Sequence, residues 1–321
     1  MAGSIQASVI LAKVEATAGT DAAPTNTTDA ALIRISGLSA KIEQKMATRD
    51  IVRGVFGAPD MLPYTRRGAI SFSVELASST ALGTAPEWGD LLIGCGMSEA
   101  VTAATRVDYT PSSASLKTLT IWAYINGKLQ KFAYCAGSVK LSMKVGQLPT
   151  LDFTLQALVS SVAAGASPVP TVTAWKRPLA VGAANTSQVL LGCTYSAGAL
   201  SGGTGYNFTE FSADLANDVQ DLEMAASESV GIYGRNPSAS LIADLGGTAI
   251  ATQYANMAAG TTTTLGITHG TVSGAKVIVF AANAVITAID DSVNGNLMLN
   301  SMAFSLTPSA SLNDELRIVA L

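Results

Sequence analysis

Few side chains in this 321-residue chain could do chemistry, and their spacing fits no catalytic or metal-binding arrangement. The one histidine, His269, lies in LGITHGTVSG, a Thr- and Gly-rich stretch. A nucleophile and base pair needs an imidazole beside a hydroxyl or thiol, and a zinc site needs several clustered His or Cys ligands. The sequence offers neither, so His269 reads as a satisfied or exposed turn residue. Cys95, Cys135 and Cys193 are odd in number, form no CxxC pair and sit in apolar or glycine-rich surroundings, which predicts buried free thiols. Asp290-Asp291 precedes Asn294-Gly295 without the spacing or closing glutamate of an EF-hand, so it reads as turn chemistry. Gly202-Gly203-Thr204-Gly205 has no Lys-Ser or Lys-Thr behind it and reads as linker rather than phosphate cradle. Trp88, Trp122 and Trp175 are dispersed, as in core or interface packing. No catalytic residue, cofactor or metal site is predicted, and the chain reads as a non-enzyme.

Composition points to burial against other subunits. Apolar residues make up 48% of the chain and charged residues only 13%, about half of the roughly 25% usual for a soluble domain. Charged or polar residues interrupt every apolar run, so no membrane insertion is expected. Residues 7–12 are apolar but no basic residue precedes them, so no secretion signal is read. The net charge of −4 excludes a basic grip on nucleic acid, which rests on Lys and Arg neutralising phosphates.

The elements that would have to position any site appear twice. Gly37-Leu38-Ser39-Ala40 and the following Ile42 are answered by Glu210-Phe211-Ser212-Ala213 and Leu215. Phe72-Ser73-Val74-Glu75-Leu76 is answered by Leu241-Ile242-Ala243-Asp244-Leu245, and Phe132-Ala133 by Phe280-Ala281. Phe153-Thr154-Leu155 is answered by Phe304-Ser305-Leu306. Each half carries one helix candidate at the same place. Residues 86–99 have Trp88, Leu91, Leu92 and Cys95 at helical spacing, and residues 248–260 have Thr248 as N-cap and Gly260 as stop. The remaining segments alternate and are punctuated by Asn126-Gly127 and Asn294-Gly295, as antiparallel hairpins are. The reading is a mainly β protein of two tandem β-sandwich or barrel domains, each with one flanking α-helix: residues 1–158, an Ala/Gly/Ser/Pro-rich connection over 159–205, and residues 206–321.

The strings ILAKVEATAGTDAAPT, GLSAKIEQK, EWGDLLIGCGM and LTIWAYINGKLQKFAYCAGSVKLSMKVGQLPTLDFTLQAL, in this order, resemble the major tail tube proteins of long-tailed phages. The resemblance implies six lobes per ring, hence three copies of a two-lobed chain in a homotrimeric, pseudo-sixfold ring. It implies rings stacking into a tube through which DNA passes at ejection, in a virion tail assembled in the host cytoplasm. Tape measure, tail terminator and distal tail proteins are the implied partners, and no cofactor is implied. A capsid decoration protein or another β-sandwich surface or adhesion protein is the alternative, and an aromatic content of 6% weighs against a carbohydrate-binding groove.

In the resembled family the long loop after the first strand of each lobe reaches the neighbouring ring. Here those loops are residues 44–68 and 217–237, too long for plain hairpin connections. Residues 37–67 hold six basic residues against three acidic, a net of +3, and residues 210–235 hold one basic against six acidic, a net of −5. Lys45, Arg49, Arg53, Arg66 and Arg67 are therefore expected to meet Asp218, Asp221, Glu223 and Glu228 between rings, setting register more than affinity. Glu43, Glu75, Asp214 and Asp244, with Asp152, are candidates for a channel wall that repels DNA. Alternation along a strand is expected to keep some of them from facing inward.

Overall fold

Period-two alternation of apolar with polar residues makes most of the chain strand. The computed structural model describes residues 4–272 and 274–321. The first half holds β1 (Val9–Val14), β2 (Ala30–Ala31), β3 (Ser39–Thr48), β4 (Met61–Glu75), α1 (Gly89–Gly94), β5 (Met97–Thr102), β6 (Arg106–Pro111), β7 (Leu119–Ile125), β8 (Lys128–Lys144) and β9 (Thr150–Ala164). The second holds β10 (Val189–Leu191), β11 (Thr194–Ser196), β12 (Ala199–Ser201), β13 (Thr204–Tyr206), β14 (Phe208–Asp214), β15 (Asn217–Met224), β16 (Ser227–Arg235), β17 (Ser238–Ala243), α2 (Gly247–Ala259), β18 (Thr262–His269), β19 (Val277–Asn294), β20 (Leu297–Thr307) and β21 (Arg317–Ala320).

One antiparallel pairing order occurs twice. In the first half it runs β3, β4, β9, β8, β7, β1. In the second it runs β14, β17, β20, β19, β18, β10. A helix follows the second strand of each order. The ladders correct the last sequence echo: Phe72 faces Phe153, whereas its counterpart Leu241 faces Met302. Phe153 therefore answers Met302, two residues before the Phe304 read from the sequence.

Two strand joins fuse the halves into one 17-stranded sheet. β14 adds to the edge of β8, in register from Glu210↔Lys144 to Asp214↔Lys140, and β21 adds to β6 around Val319↔Asp108. Alternate residues of these strands, such as Phe72, Val139, Phe153, Phe211, Leu241 and Phe304, are buried in one apolar cluster that spans both halves. Each such side chain contributes about 1.5–3 kcal/mol, so the inner face of the sheet dominates stability. At the second join Asp108 is buried and accepts from Tyr195 Oη at 2.6 Å and Arg317 Nη1 at 3.0 Å.

The expected helices and connection need correction. α1 spans six residues rather than 86–99, because Gly96, at φ +75°, turns the chain left-handed and the next residues enter β5. Gly246, not Thr248, caps α2; Thr248 lies inside the first turn, and Gly260 ends the helix at φ +61° as expected. In the stretch 159–205, β9 continues to Ala164 and β10 to β12, with the start of β13, occupy the C-terminal part. The glycine cluster there is a tight turn between β12 and β13. A Cβ at Gly203 would lie 2.8 Å from the backbone of Cys193 and Leu191, so glycine is required.

Candidate assembly interface

Both segments expected to be long loops are β-hairpin arms. β3 and β4 stay paired out to Thr48↔Met61, leaving residues 49–60 as a tip. β15 and β16 stay paired to Met224↔Ser227 around Ala225-Ala226. The arms leave their sheets differently. The first continues straight out of β3 and β4, whereas the second forms its own two-stranded sheet and folds back onto β8 and β9.

Local chemistry explains the second arm's turn. Ala216 takes φ +45°, and Pro237, which has no N–H to give to a ladder, separates β16 from β17. Asn217 then pins the bend: its Nδ2 donates to the carbonyls of Cys95 at 2.6 Å and Gly137 at 2.8 Å, and its N–H donates to Ser138 Oγ at 3.1 Å. At the other strand Arg235 donates to the Ser112 carbonyl at 2.8 Å and to Glu315 Oε1 at 3.1 Å.

The folded-back arm brings much of the opposite charge together inside one chain. Lys45 bonds Glu223 and lies 3.6 Å from Asp221. Arg67, its side chain 7% exposed, stands 3.4 Å from Asp221, 3.1 Å from Glu223 and 3.7 Å from Glu228. Thr65 Oγ1 donates to Glu228 at 2.6 Å. The hydrogen bond to Glu223 raises the Lys45 ammonium above its ordinary range, and the same bond, with help from Arg67, holds the Glu223 carboxyl below its own. Four of the predicted contact residues lie elsewhere. Arg49 and Arg53 pair with Asp60 inside the tip. Arg66 is exposed and makes no ion pair among the described residues, and Asp218 accepts only from Gln220 Nε2, at 2.8 Å.

The first arm's tip is an exposed apolar patch. Val52 and Phe56 are fully exposed, Val55 is 76% exposed, and Ile51, Met61, Leu62 and Tyr64 are more than half exposed or close to it. Scattered surface apolar residues are ordinary, but a contiguous patch marks a binding surface.

Register settles where the acidic candidates stand. Ser73 faces Asp152, Glu75 faces Thr150, and Asp152 faces Lys140, which in turn faces Asp214. Glu43 shares a face with Ser39, and Asp244 alternates with buried Ala243 and Leu245. All five therefore occupy the face of the sheet opposite the core, contrary to the expectation that alternation would divide them. Ser73 also donates to Asp152.

The model of the phage tail tube protein family matches residues 6–307. The chain belongs to that family. A search of the curated proteins found no match. As a family member it is a structural protein of the virion tail.

The tail tube chain also contains a buried carboxylate that sequence reasoning missed. Glu15, at the end of β1, is 3% exposed and accepts from Gly19 N–H at 2.5 Å, Thr118 Oγ1 at 2.5 Å, Thr120 Oγ1 at 3.0 Å and Tyr134 N–H at 3.1 Å. Its donors come from residues up to 119 positions away, so no local pattern announced it. His269 ends β18 and is buried; its Nε2 donates to the Leu179 carbonyl at 3.1 Å and Nδ1 accepts from Thr186 Oγ1 at 2.9 Å. Burial lowers its pKa and the Leu179 bond partly opposes this. The three cysteines are buried free thiols, and burial pushes each thiol up. Among the described residues no cluster of three His, Cys, Asp or Glu could hold a metal, and no helix is long and apolar enough to cross a membrane.

Proposed function

We propose that three copies of this chain close into a ring with pseudo-sixfold symmetry, and that the rings stack into the tail tube through which DNA is ejected. The observation carrying this reading is the doubled pairing order joined through β14 and β8. Each chain contributes two successive segments of one continuous sheet, so three chains supply six. Closing the sheet removes its free edges, which otherwise invite uncontrolled pairing. The domains of this reading are the two lobes, residues 1–158 and 206–321, with the strands of 159–205 serving both. Assembly takes place in the host cytoplasm, and tape measure, tail terminator and distal tail proteins meet the tube.

The face bearing Glu43, Glu75, Asp152, Asp214 and Asp244 lines the channel, where Lys140 is flanked by Asp152 and Asp214 and so offers phosphates little free positive charge. The apolar tip 49–60 makes the contact between rings. The ionic cluster of Lys45 and Arg67 with Asp221, Glu223 and Glu228 holds the second arm within its own subunit, and Arg49, Arg53, Arg66 and Asp218 remain as charged residues for the neighbouring ring.

Negative-stain imaging of concentrated purified protein tests the reading. Hollow tubes whose rings average with three-fold symmetry are expected, and persistent monomers overturn it. Replacing Val52 and Phe56 with Ser is expected to leave single rings that no longer stack.

A further inference from the structure

The join inside the chain specifies the join between chains. Ser39↔Ser71 and Ser212↔Ser240 equate β3 with β14. Continuing across the ladders, Ser71 leads to Thr154 and Ser138, and Ser240 leads to Ala303 and Ala288. Residues 140–144 of β8 thus correspond to residues 290–294 of β19. Inside the chain β14 fills the edge of 140–144. The two counterpart edges are open among the described residues: β3 pairs only with β4, and beyond Val285 β19 pairs only with β20.

We propose that β3 of one copy pairs antiparallel with β19 of a second copy in the register Leu38↔Val293, Ser39↔Ser292, Ala40↔Asp291 and Lys41↔Asp290. This deepens the ring reading above and rests on it. The occupant is another copy of this chain because the internal join already shows this sheet accepting its own counterpart strand. Charge agrees. Where Asp214 stands opposite Lys140, the transferred register sets Lys41 opposite Asp290, an acid and base pair with the signs exchanged. Neither Lys41 nor Asp290 has an ion pair among the described residues. Val293, 71% exposed, comes opposite Leu38 as buried Met143 comes opposite buried Phe211.

Residues directly opposite across antiparallel strands lie about 4.5–5.5 Å apart, within disulfide reach. The test oxidises a Ser39→Cys, Ser292→Cys double variant of the full chain, the natural cysteines being buried. Covalent trimers on a non-reducing gel are expected, while a Ser39→Cys, Asn294→Cys control, two residues out of register, links weakly. In parallel, Lys41→Glu or Asp290→Lys alone is expected to weaken each contact up to about fivefold, and the two together to restore rings. Rings or tubes that form without cross-linking at Ser39 and Ser292 overturn the register and leave the ring reading standing. A wild-type protein that forms no rings overturns the ring reading itself.

Discussion

Replacing Arg67 with Met is expected to free the second arm while leaving the fold intact. Methionine keeps an unbranched stem of similar reach, so the loss is the guanidinium and its bonds to Glu223 through Nε and Nη2, at 3.2 and 3.1 Å. Hydrogen bonds to charged partners contribute about 1.5–3 kcal/mol each. The three carboxylates are 22–36% exposed and recover part of this from water. A net weakening of about 2 kcal/mol follows, roughly 30-fold in the opening equilibrium of the arm. With the cation gone, Asp221 and Glu223 keep only Lys45 and Glu228 keeps the Thr65 hydroxyl, and the Glu223 carboxyl, still held down by its Lys45 bond, rises part of the way back. Hydrogen exchange of residues 217–235 reads this directly, since local opening sets the rate there. Exchange is expected to quicken by an order of magnitude or more, with the strands of the main sheet unaffected. Arg66→Met, at an exposed position without an ion pair, is the matched control. Unchanged exchange in Arg67→Met, or an equal change in Arg66→Met, would refute the idea that this cluster fastens the arm.

Three further outcomes follow from buried polar groups. Glu15→Leu orphans the N–H groups of Gly19 and Tyr134 and strands two threonine hydroxyls, and should cost roughly 3–5 kcal/mol; a urea midpoint close to wild type would contradict it. Asn217→Leu leaves the Cys95 and Gly137 carbonyls without their donor, for about 2–4 kcal/mol, and should expose residues 217–235 to limited proteolysis. His269 is held neutral by burial, so the unfolded chain takes up its proton first as pH falls below the ordinary value of 6.5. Its contribution is flat above about pH 7 and declines below 6.5 by at most about 1.4 kcal/mol per pH unit. Denaturant midpoints measured against pH should show that slope in the wild type and lose it in His269→Gln.

Much of the sheet was legible because strand period and turn chemistry are local. Phe72, Phe153 and Leu241 stand on the inner face as their alternation predicts, and Gly260 stops its helix through its own backbone freedom. The arms were legible as special segments but not as hairpins. Their pairing and the folding back of the second depend on Pro237, on Asn217 reaching Cys95, and on Lys45 meeting Glu223 across 178 residues. For the same reason the shared face of Glu43, Asp152 and Asp214 escaped sequence reasoning. Parity within one strand is local, but which parity matches across strands is set by register. α1 was overestimated because the spacing of Trp88, Leu91, Leu92 and Cys95 does not show that Gly96 turns left-handed and hands the next residues to pairing with β6.

The seam between β8 and β14 also bears on how a tail could be built. In the proposed three-chain ring, three of the six seams are sealed when each polypeptide folds, at the effective concentration of a tether rather than that of free subunits. Ring nucleation then becomes a three-body event instead of a six-body one, and its rate depends on roughly the third power of subunit concentration. A tube made this way could start from dilute protein early in an infection, before single-lobed subunits of equal seam strength would nucleate. The tether also permits the tethered seam and the free seam to diverge, so that only the free one need carry the information on which neighbour to accept.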